Sequence, residues 1–147
     1  MTSWTPHDPD FAVRVAASFA RQGVMAHLGA RLIQVEPGIC AVALPFRPEL
    51  AQQDGFFHAG VVTTIADSAC GYAAFSLMPV GARVLTVELK INLMSPAAGS
   101  LAVARGVVLR ADRTLTVARA DVHVEGGREE GPVATMLATL MCLQPRA

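Results

Sequence analysis

Asp67 is the residue whose type and setting point most directly to chemistry. It lies within residues 59–78, a run of small and apolar side chains with no proline before Pro79. A carboxylate buried among such side chains is costly unless it has a partner or a task. A hydrogen bond from Thr63 or Ser68 would make it structural, and the alternative is a catalytic carboxylate.

A second candidate lies where this run begins, at Asp54-Gly55-Phe56-Phe57-His58-Ala59-Gly60. The first N–H groups of a helix have no acceptor within the helix and lie at the positive end of its dipole. Because Ala59 and Gly60 are small, an acyl carbonyl oxygen can approach these N–H groups closely, as in an oxyanion hole. The structural alternative is an ordinary helix start with His58 near the cap.

The spacing of these two features limits how they can act together. Ala59 and Asp67 are eight residues apart, which is about 12 Å along a helix. One carbonyl group cannot contact both. If both serve one reaction, one of them comes from a second copy of the chain, which predicts an antiparallel homodimer with composite sites.

The remaining sequence predicts the elements that hold this run. Apolar spacing predicts a short helix over 10–22, capped by Asp8 or Asp10 and ended by Gly23, and a long buried helix over 59–78. Strands are predicted over 30–35, 39–44, 83–93, 101–109, 115–124 and 133–143. In 83–93 the residues Leu85, Val87, Leu89, Ile91 and Leu93 should share one face, and Thr86, Glu88, Lys90 and Asn92 the other.

This order of elements predicts an α+β fold in which an antiparallel sheet wraps around one central helix. We expect a single domain of residues 25–147, preceded by an N-terminal segment of residues 1–24 that carries the short helix. The 147 residues carry 12 basic and 12 acidic side chains, and this zero net charge argues against a nucleic-acid partner.

Other features bear on location and cofactors. The sequence shows neither a signal peptide nor an apolar run of the ~20 residues that cross a membrane, so we expect a cytoplasmic protein without a membrane partner. Cys40, Cys70 and Cys142 form no CxxC motif, and His7, His27 and His123 are scattered. We therefore expect no disulfide framework and no metal site.

Two motifs resemble a known family. Gly55 to Val62 followed by Ile65-Ala66-Asp67-Ser68-Ala69 resembles the G-x-x-H-G-G and L-A-D-x-A signature of hotdog-fold acyl-CoA thioesterases of the phenylacetate-degradation (PaaI-like) type. Thr86 to Pro96, with Gly99, resembles that family's T-x-E-x-x-I-N-F-L-R-P…G strand. The resemblance covers roughly residues 25–143 and implies a hotdog fold.

The resemblance also implies hydrolysis of an aryl- or medium-chain acyl-CoA to free acid and CoA, without a cofactor other than the CoA of the substrate. Asp67 would act as general base on water or as nucleophile, and the Ala59 N–H as oxyanion donor. Gln52 would face the thioester or the water, and Thr86 would help to hold the water. Contacts with the substrate are assigned to His58, Gly60, Ser68 and Phe57. The carboxylate and the helix-start N–H would come from different subunits of a dimer, or of a dimer of dimers.

The sequence departs from the family pattern at Ala59, where the family has glycine. The N–H survives this change, but the methyl group narrows the site. Because Gln53 directly follows Gln52, the role assigned to Gln52 could belong to either of the two residues. Arg110, Arg113 and Arg128 are candidates for contacts with the CoA phosphates.

Two alternative functions stay open on the sequence alone. The first is a non-catalytic hotdog protein that binds acyl-CoA or another hydrophobic ligand. The second is a dehydratase of hydroxyacyl thioesters, which needs a catalytic histidine near the acid. His58 is nine positions from Asp67 and could meet it only across subunits.

Overall fold

The computed structural model describes residues 3–127 and 130–144. The elements are α1 (Phe11–Ala20), α2 (Gly23–Leu28), β1 (Arg31–Glu36), β2 (Ile39–Pro45), a 3₁₀ turn (Pro48–Leu50), α3 (Ala59–Phe75), β3 (Arg83–Leu93), β4 (Leu101–Ala111), β5 (Leu115–Glu125) and β6 (Ala134–Leu143). One six-stranded antiparallel sheet, in the order β1-β2-β4-β5-β6-β3, packs against the long helix α3. The predicted α+β architecture is confirmed, with every strand within two residues of its predicted bounds.

Small side chains let α3 lie close to the sheet. The buried face of the three strands beneath it is rich in alanine, at Ala102, Ala104, Ala118, Ala120, Ala134 and Ala138. Gly106 of β4 allows the closest approach, because a Cβ atom there would lie 2.4 Å from the carbonyl oxygen of Ala69. The backbones of α3 and β4 are therefore in direct contact two residues after Asp67.

The helical segments differ from the prediction. Residues after α1 form a second helix, α2, because Gly23 begins a helix instead of only ending one; Gly29, with φ of 76°, ends it. Asp10 occupies the N-cap position of α1 without a side-chain cap, and the Asp8 carboxylate instead accepts a hydrogen bond from the Asp10 N–H at 2.9 Å. α3 ends at Phe75, three residues before the predicted end.

The predicted unbroken alternation of β3 is wrong. A β-bulge lies between Thr86 and Glu88, which pair with adjacent residues of β6 and leave Val87 as an extra residue. Thr86 therefore turns toward α3 instead of sharing a face with Glu88. Leu85, on the predicted apolar face, is 54% exposed.

No helix within residues 3–127 and 130–144 is long and apolar enough to cross a membrane.

Candidate active site

Two separate pockets lie along α3. The helix-start pocket, of about 470 Å³, is lined by Gln52, Phe57 and Ala59 and by residues 93–97 that follow β3. The Asp67 pocket, of about 280 Å³, is lined by Asp67, Ser68 and Thr86. The predicted catalytic residues are thus divided between two places in one chain.

His58 caps the start of α3. Its Nδ1 accepts a hydrogen bond from the Gly60 N–H at 2.9 Å, and its carbonyl oxygen accepts from the N–H groups of Val61 and Val62. A Cβ atom at residue 60 would lie 3.1 Å from that Nδ1, so the cap favours glycine there. Among the described residues the Ala59 N–H has no hydrogen-bond acceptor. The capping therefore leaves the Ala59 N–H available to a ligand.

The loop before α3 places Gln52 in the same pocket as Ala59. The Gln52 side-chain oxygen accepts a hydrogen bond from the Phe56 N–H at 3.2 Å, and the Gln52 N–H donates to the Phe56 carbonyl oxygen at 2.9 Å. Gln53 is exposed, and its amide donates to Asp54. Gln52 is therefore the glutamine that lines the pocket.

His58 and Phe57 fix the end of this loop. His58 contacts the loop through its backbone N–H, which donates to the Leu50 carbonyl oxygen at 2.9 Å. Phe57 is buried and packs edge-to-face on Phe46, with ring centroids 5.1 Å apart. Phe57 therefore lines the pocket from a rigid position.

Asp67 is held by a strand and not by its own helix. The Thr86 hydroxyl donates to Asp67 Oδ1 at 2.7 Å, a short charge-assisted hydrogen bond. The structural partners considered for Asp67 are wrong, because the Thr63 hydroxyl donates to the Ala59 carbonyl oxygen and that of Ser68 to the Gln22 side chain. The β3 bulge makes the contact possible, since it turns Thr86 toward α3.

Residues of α1 and its C-terminal end complete the Asp67 pocket, and the sequence analysis missed them. Ser18, Arg21 and Gln22 line it together with Tyr72. The hydroxyl groups of Ser18 and Tyr72 are 3.3 Å apart and share a hydrogen bond. Polar residues at a helix end also occur on solvated surfaces, so their sequence carried no signal for this role.

Other candidates lie away from the two pockets. Arg110 is exposed and pairs with Asp112 at 3.0 Å, Arg113 lines a different cavity near Trp4, and Arg128 is outside the described residues. Burial raises the pKa of the Cys70 thiol to about 12, which disfavours a thiolate nucleophile. Within the described ranges, no group of three or more His, Cys, Asp or Glu side chains is arranged to hold a metal ion.

The sequence matches a known protein family over a segment that contributes residues to both pockets. The family model described as Thioesterase superfamily matches residues 54–130, the segment that contains Ala59, Asp67 and Thr86. The chain belongs to the thioesterase superfamily. The hotdog fold and the assignment as a thioester hydrolase, both predicted from the motifs, are confirmed.

Similar proteins agree with this assignment. A crystal structure of a thioesterase family protein from Silicibacter pomeroyi is 52% identical, with a TM-score of 0.88, covering 90% of this chain and 98% of that one. A Halobacterium salinarum protein, provisionally named an esterase, is 30% identical over 80% of this chain and 82% of its own. The Escherichia coli PaaI protein of the phenylacetic acid degradation operon shares the fold, with 18% identity, a TM-score of 0.81 and coverage of 92% and 95%.

Proposed function

We propose that this thioesterase hydrolyses aryl- or medium-chain acyl-CoA thioesters at sites that two copies of the chain build together. The observation that carries the proposal is the division of the chemistry along α3. The free Ala59 N–H borders one pocket and the Asp67 carboxylate another, at positions about 12 Å apart. In an antiparallel dimer the Asp67 pocket of one subunit meets the helix-start pocket of the other.

The free edge of the sheet supports such a dimer. β3 is an edge strand of 11 residues, and β6 is its one partner strand in the part of the chain that the structure describes. It exposes apolar side chains, with Leu85 54% and Leu93 53% accessible. A long edge strand with exposed apolar residues favours pairing with another strand. The edge also lies beside both pockets, because Thr86 lines one and Leu93 the other.

The proposed reaction assigns one task to each group. Asp67 takes a proton from a water molecule whose oxygen attacks the thioester carbon, or attacks that carbon itself. The carbonyl oxygen becomes an oxyanion that accepts a hydrogen bond from the Ala59 N–H of the partner subunit. The carbon–sulfur bond then breaks and CoA leaves as its thiolate. On the water route the thiolate receives the proton that Asp67 took from the water. On the direct route the thiolate takes a proton from solvent, and water then hydrolyses the mixed anhydride that joins the acyl group to Asp67. Thr86 orients the carboxylate through the 2.7 Å hydrogen bond, and Gln52 positions the thioester.

The role of Asp67 is tested with Asp67→Asn. Thiol release is measured for the wild type and the variant with phenylacetyl-, hydroxybenzoyl-, hexanoyl- and lauroyl-CoA. We expect kcat to fall by about 10²- to 10⁴-fold, with an unchanged circular dichroism spectrum. Activity of Asp67→Asn near that of the wild type would refute the assignment, and no turnover by the wild type would refute acyl-CoA hydrolysis.

The oxyanion donor is tested by removing one N–H group. Ala59 is the first residue of α3, where proline is tolerated, and His58 already has the extended ψ of 138° that a residue before proline adopts. Ala59→Pro should therefore keep the fold and lower kcat by about 10²- to 10³-fold. Ala59→Gly, which keeps the N–H, is the matched control. Equal activity of the two variants would remove Ala59 from the mechanism.

Mixing these two inactive variants tests the composite site. In a mixed dimer of Asp67→Asn and Ala59→Pro, one site carries both changes and the other carries neither. Random exchange of subunits should restore about a quarter of wild-type activity, since half of the dimers are mixed and each has one intact site. No recovery after verified exchange would contradict a site shared between subunits.

A further inference from the structure

We infer that the Asp67 pocket selects acyl groups whose far end carries a carboxylate, and that Arg21 binds this carboxylate. The inference rests on the acyl-CoA hydrolysis of the proposed function and replaces its apolar acyl group with a short acyl chain that ends in a carboxylate. Two observations support the inference. Hydrogen-bond donors line the pocket beyond Asp67, and Gly71 leaves space there for an acyl group.

The pocket has the length of a small acyl group. Its lining runs along α3 from Asp67 to Gly71 and Tyr72, a rise of roughly 6 to 8 Å. The hydrogen bond between Ser18 and Tyr72 holds α1 against this end. A pocket bounded by α1 at this end suits the acyl group better than the CoA arm, which must continue to solvent.

Hydrogen-bond donors line the pocket beyond Asp67. The Gln22 side-chain oxygen already accepts from Ser68, so its NH₂ group remains a donor. In the Ser18–Tyr72 pair, one hydroxyl donates to the other and the second keeps its proton for a ligand. Seven of the nine lining residues have polar side chains. An acyl group that ends in a methyl would leave these donors without a partner, whereas a carboxylate would accept from them.

Arg21 adds the charge that selects an anion. Its guanidinium makes one hydrogen bond in the described chain, to the Ala17 carbonyl oxygen at 3.1 Å. Within residues 3–127 and 130–144, the ion pairs involve other arginines. Burial raises the pKa of the Tyr72 phenol, and the Ser18 hydrogen bond and the Arg21 charge oppose part of this rise. Arg21 and Tyr72 line the same pocket, so both can contact one carboxylate bound there.

The charge preference is tested with a matched pair of thioesters. Glutaryl-CoA and pentanoyl-CoA have acyl chains of the same length, one ending in a carboxylate and the other in a methyl group. We expect the wild type to favour glutaryl-CoA in kcat/KM, and Arg21→Gln to lower this value about ten- to a hundredfold for glutaryl-CoA only. Arg21→Lys should keep part of the preference, and Arg105→Gln, on an exposed arginine of β4, should change neither value.

The outcomes separate the two proposals. A wild type that favours pentanoyl-CoA, or an Arg21→Gln variant that slows both substrates equally, overturns the inference and leaves the thioesterase assignment intact. If the wild type hydrolyses no thioester, the proposed function fails. Calorimetric binding of the two thioesters to Asp67→Asn then decides the inference alone, since tighter binding of glutaryl-CoA supports it and equal binding overturns it.

Gly71 tests whether the acyl group occupies this pocket. A Cβ atom at residue 71 would meet nothing within 4 Å, and residue 71 lines the pocket, so a larger side chain there starts in open space and takes up pocket volume. Gly71→Leu should lower kcat/KM for glutaryl-CoA at least tenfold more than for acetyl-CoA. An equal effect on the two substrates would show that the acyl group lies elsewhere and would overturn the inference.

Discussion

Gly106 offers the sharpest test of how the fold positions Asp67. In Gly106→Ala, the new methyl group would lie 2.4 Å from the carbonyl oxygen and 2.5 Å from the carbonyl carbon of Ala69. These are backbone atoms, so no side-chain rotation relieves the contact. To reach the ordinary contact distance of 3.4 Å, α3 and β4 must separate by about 1 Å. Asp67, two residues before Ala69, would move with the helix.

Gly106→Ala should lower both the stability of the protein and its activity. Overpacking of this kind costs up to about 3 kcal/mol of unfolding free energy, which for a chain of this size lowers the Tm by about 6 to 12 °C. A displacement of about 1 Å at a catalytic group can lower turnover about a hundredfold. Thermal unfolding followed by circular dichroism and thiol release from an acyl-CoA measure the two effects.

Gly71→Ala is the matched control for stability. It adds the same methyl group to α3, but into open space, and alanine favours a helix over glycine by about 1 kcal/mol. The Tm of Gly71→Ala should therefore rise while that of Gly106→Ala falls. Equal Tm values for Gly106→Ala and the wild type would refute the close approach of α3 to β4.

Three further predictions test single contacts. Thr86→Val removes the hydroxyl that donates to Asp67 and should lower kcat about ten- to a hundredfold, whereas Thr86→Ser should retain most of it; equal rates for both would contradict the positioning role. The hydrogen bond from the Asp10 N–H, with help from Arg14, lowers the pKa of Asp8 below its ordinary value. The ionised Asp8 carboxylate therefore stabilises the fold at neutral pH, and this contribution is lost as the pH falls through the pKa that Asp8 has in the folded protein. Urea titrations should accordingly show that Asp8→Asn is less stable than the wild type at pH 7 and that this difference disappears in acid, and a difference that persists would disprove the linkage. Cys70, buried and with its pKa raised to about 12, should react with iodoacetamide at pH 8 only after unfolding, as mass spectrometry of the labelled peptide would show.

The elements that carry chemistry could be predicted because their signals are local. A helix without proline and with one carboxylate is visible in the letters of 59–78, and so is the group of small residues at its start. Turn residues between apolar runs also placed the strands. The spacing of Ala59 and Asp67 needed only the rise of a helix.

The features that could not be predicted depend on contacts between distant parts of the chain. The β3 bulge is set by pairing with β6, and it decides that the partner of Asp67 is Thr86 and not Thr63 or Ser68. The polar residues of α1 gained their role only when α1 packed against Tyr72. The sequence does not predict α2 because a glycine such as Gly23 is typical of a helix end, and here it also begins the next helix.

The alanine-rich face beneath α3 also limits how this sequence can diverge. An alanine has no methylene to lose, so apart from a change to glycine, accepted substitutions there can only add volume. Each addition pushes against the helix that carries Asp67. Bulky core residues such as Met136 and Leu140 can instead be replaced when a neighbouring side chain changes volume in compensation. Relatives that keep this chemistry should therefore vary most at the large core positions and least at the small ones.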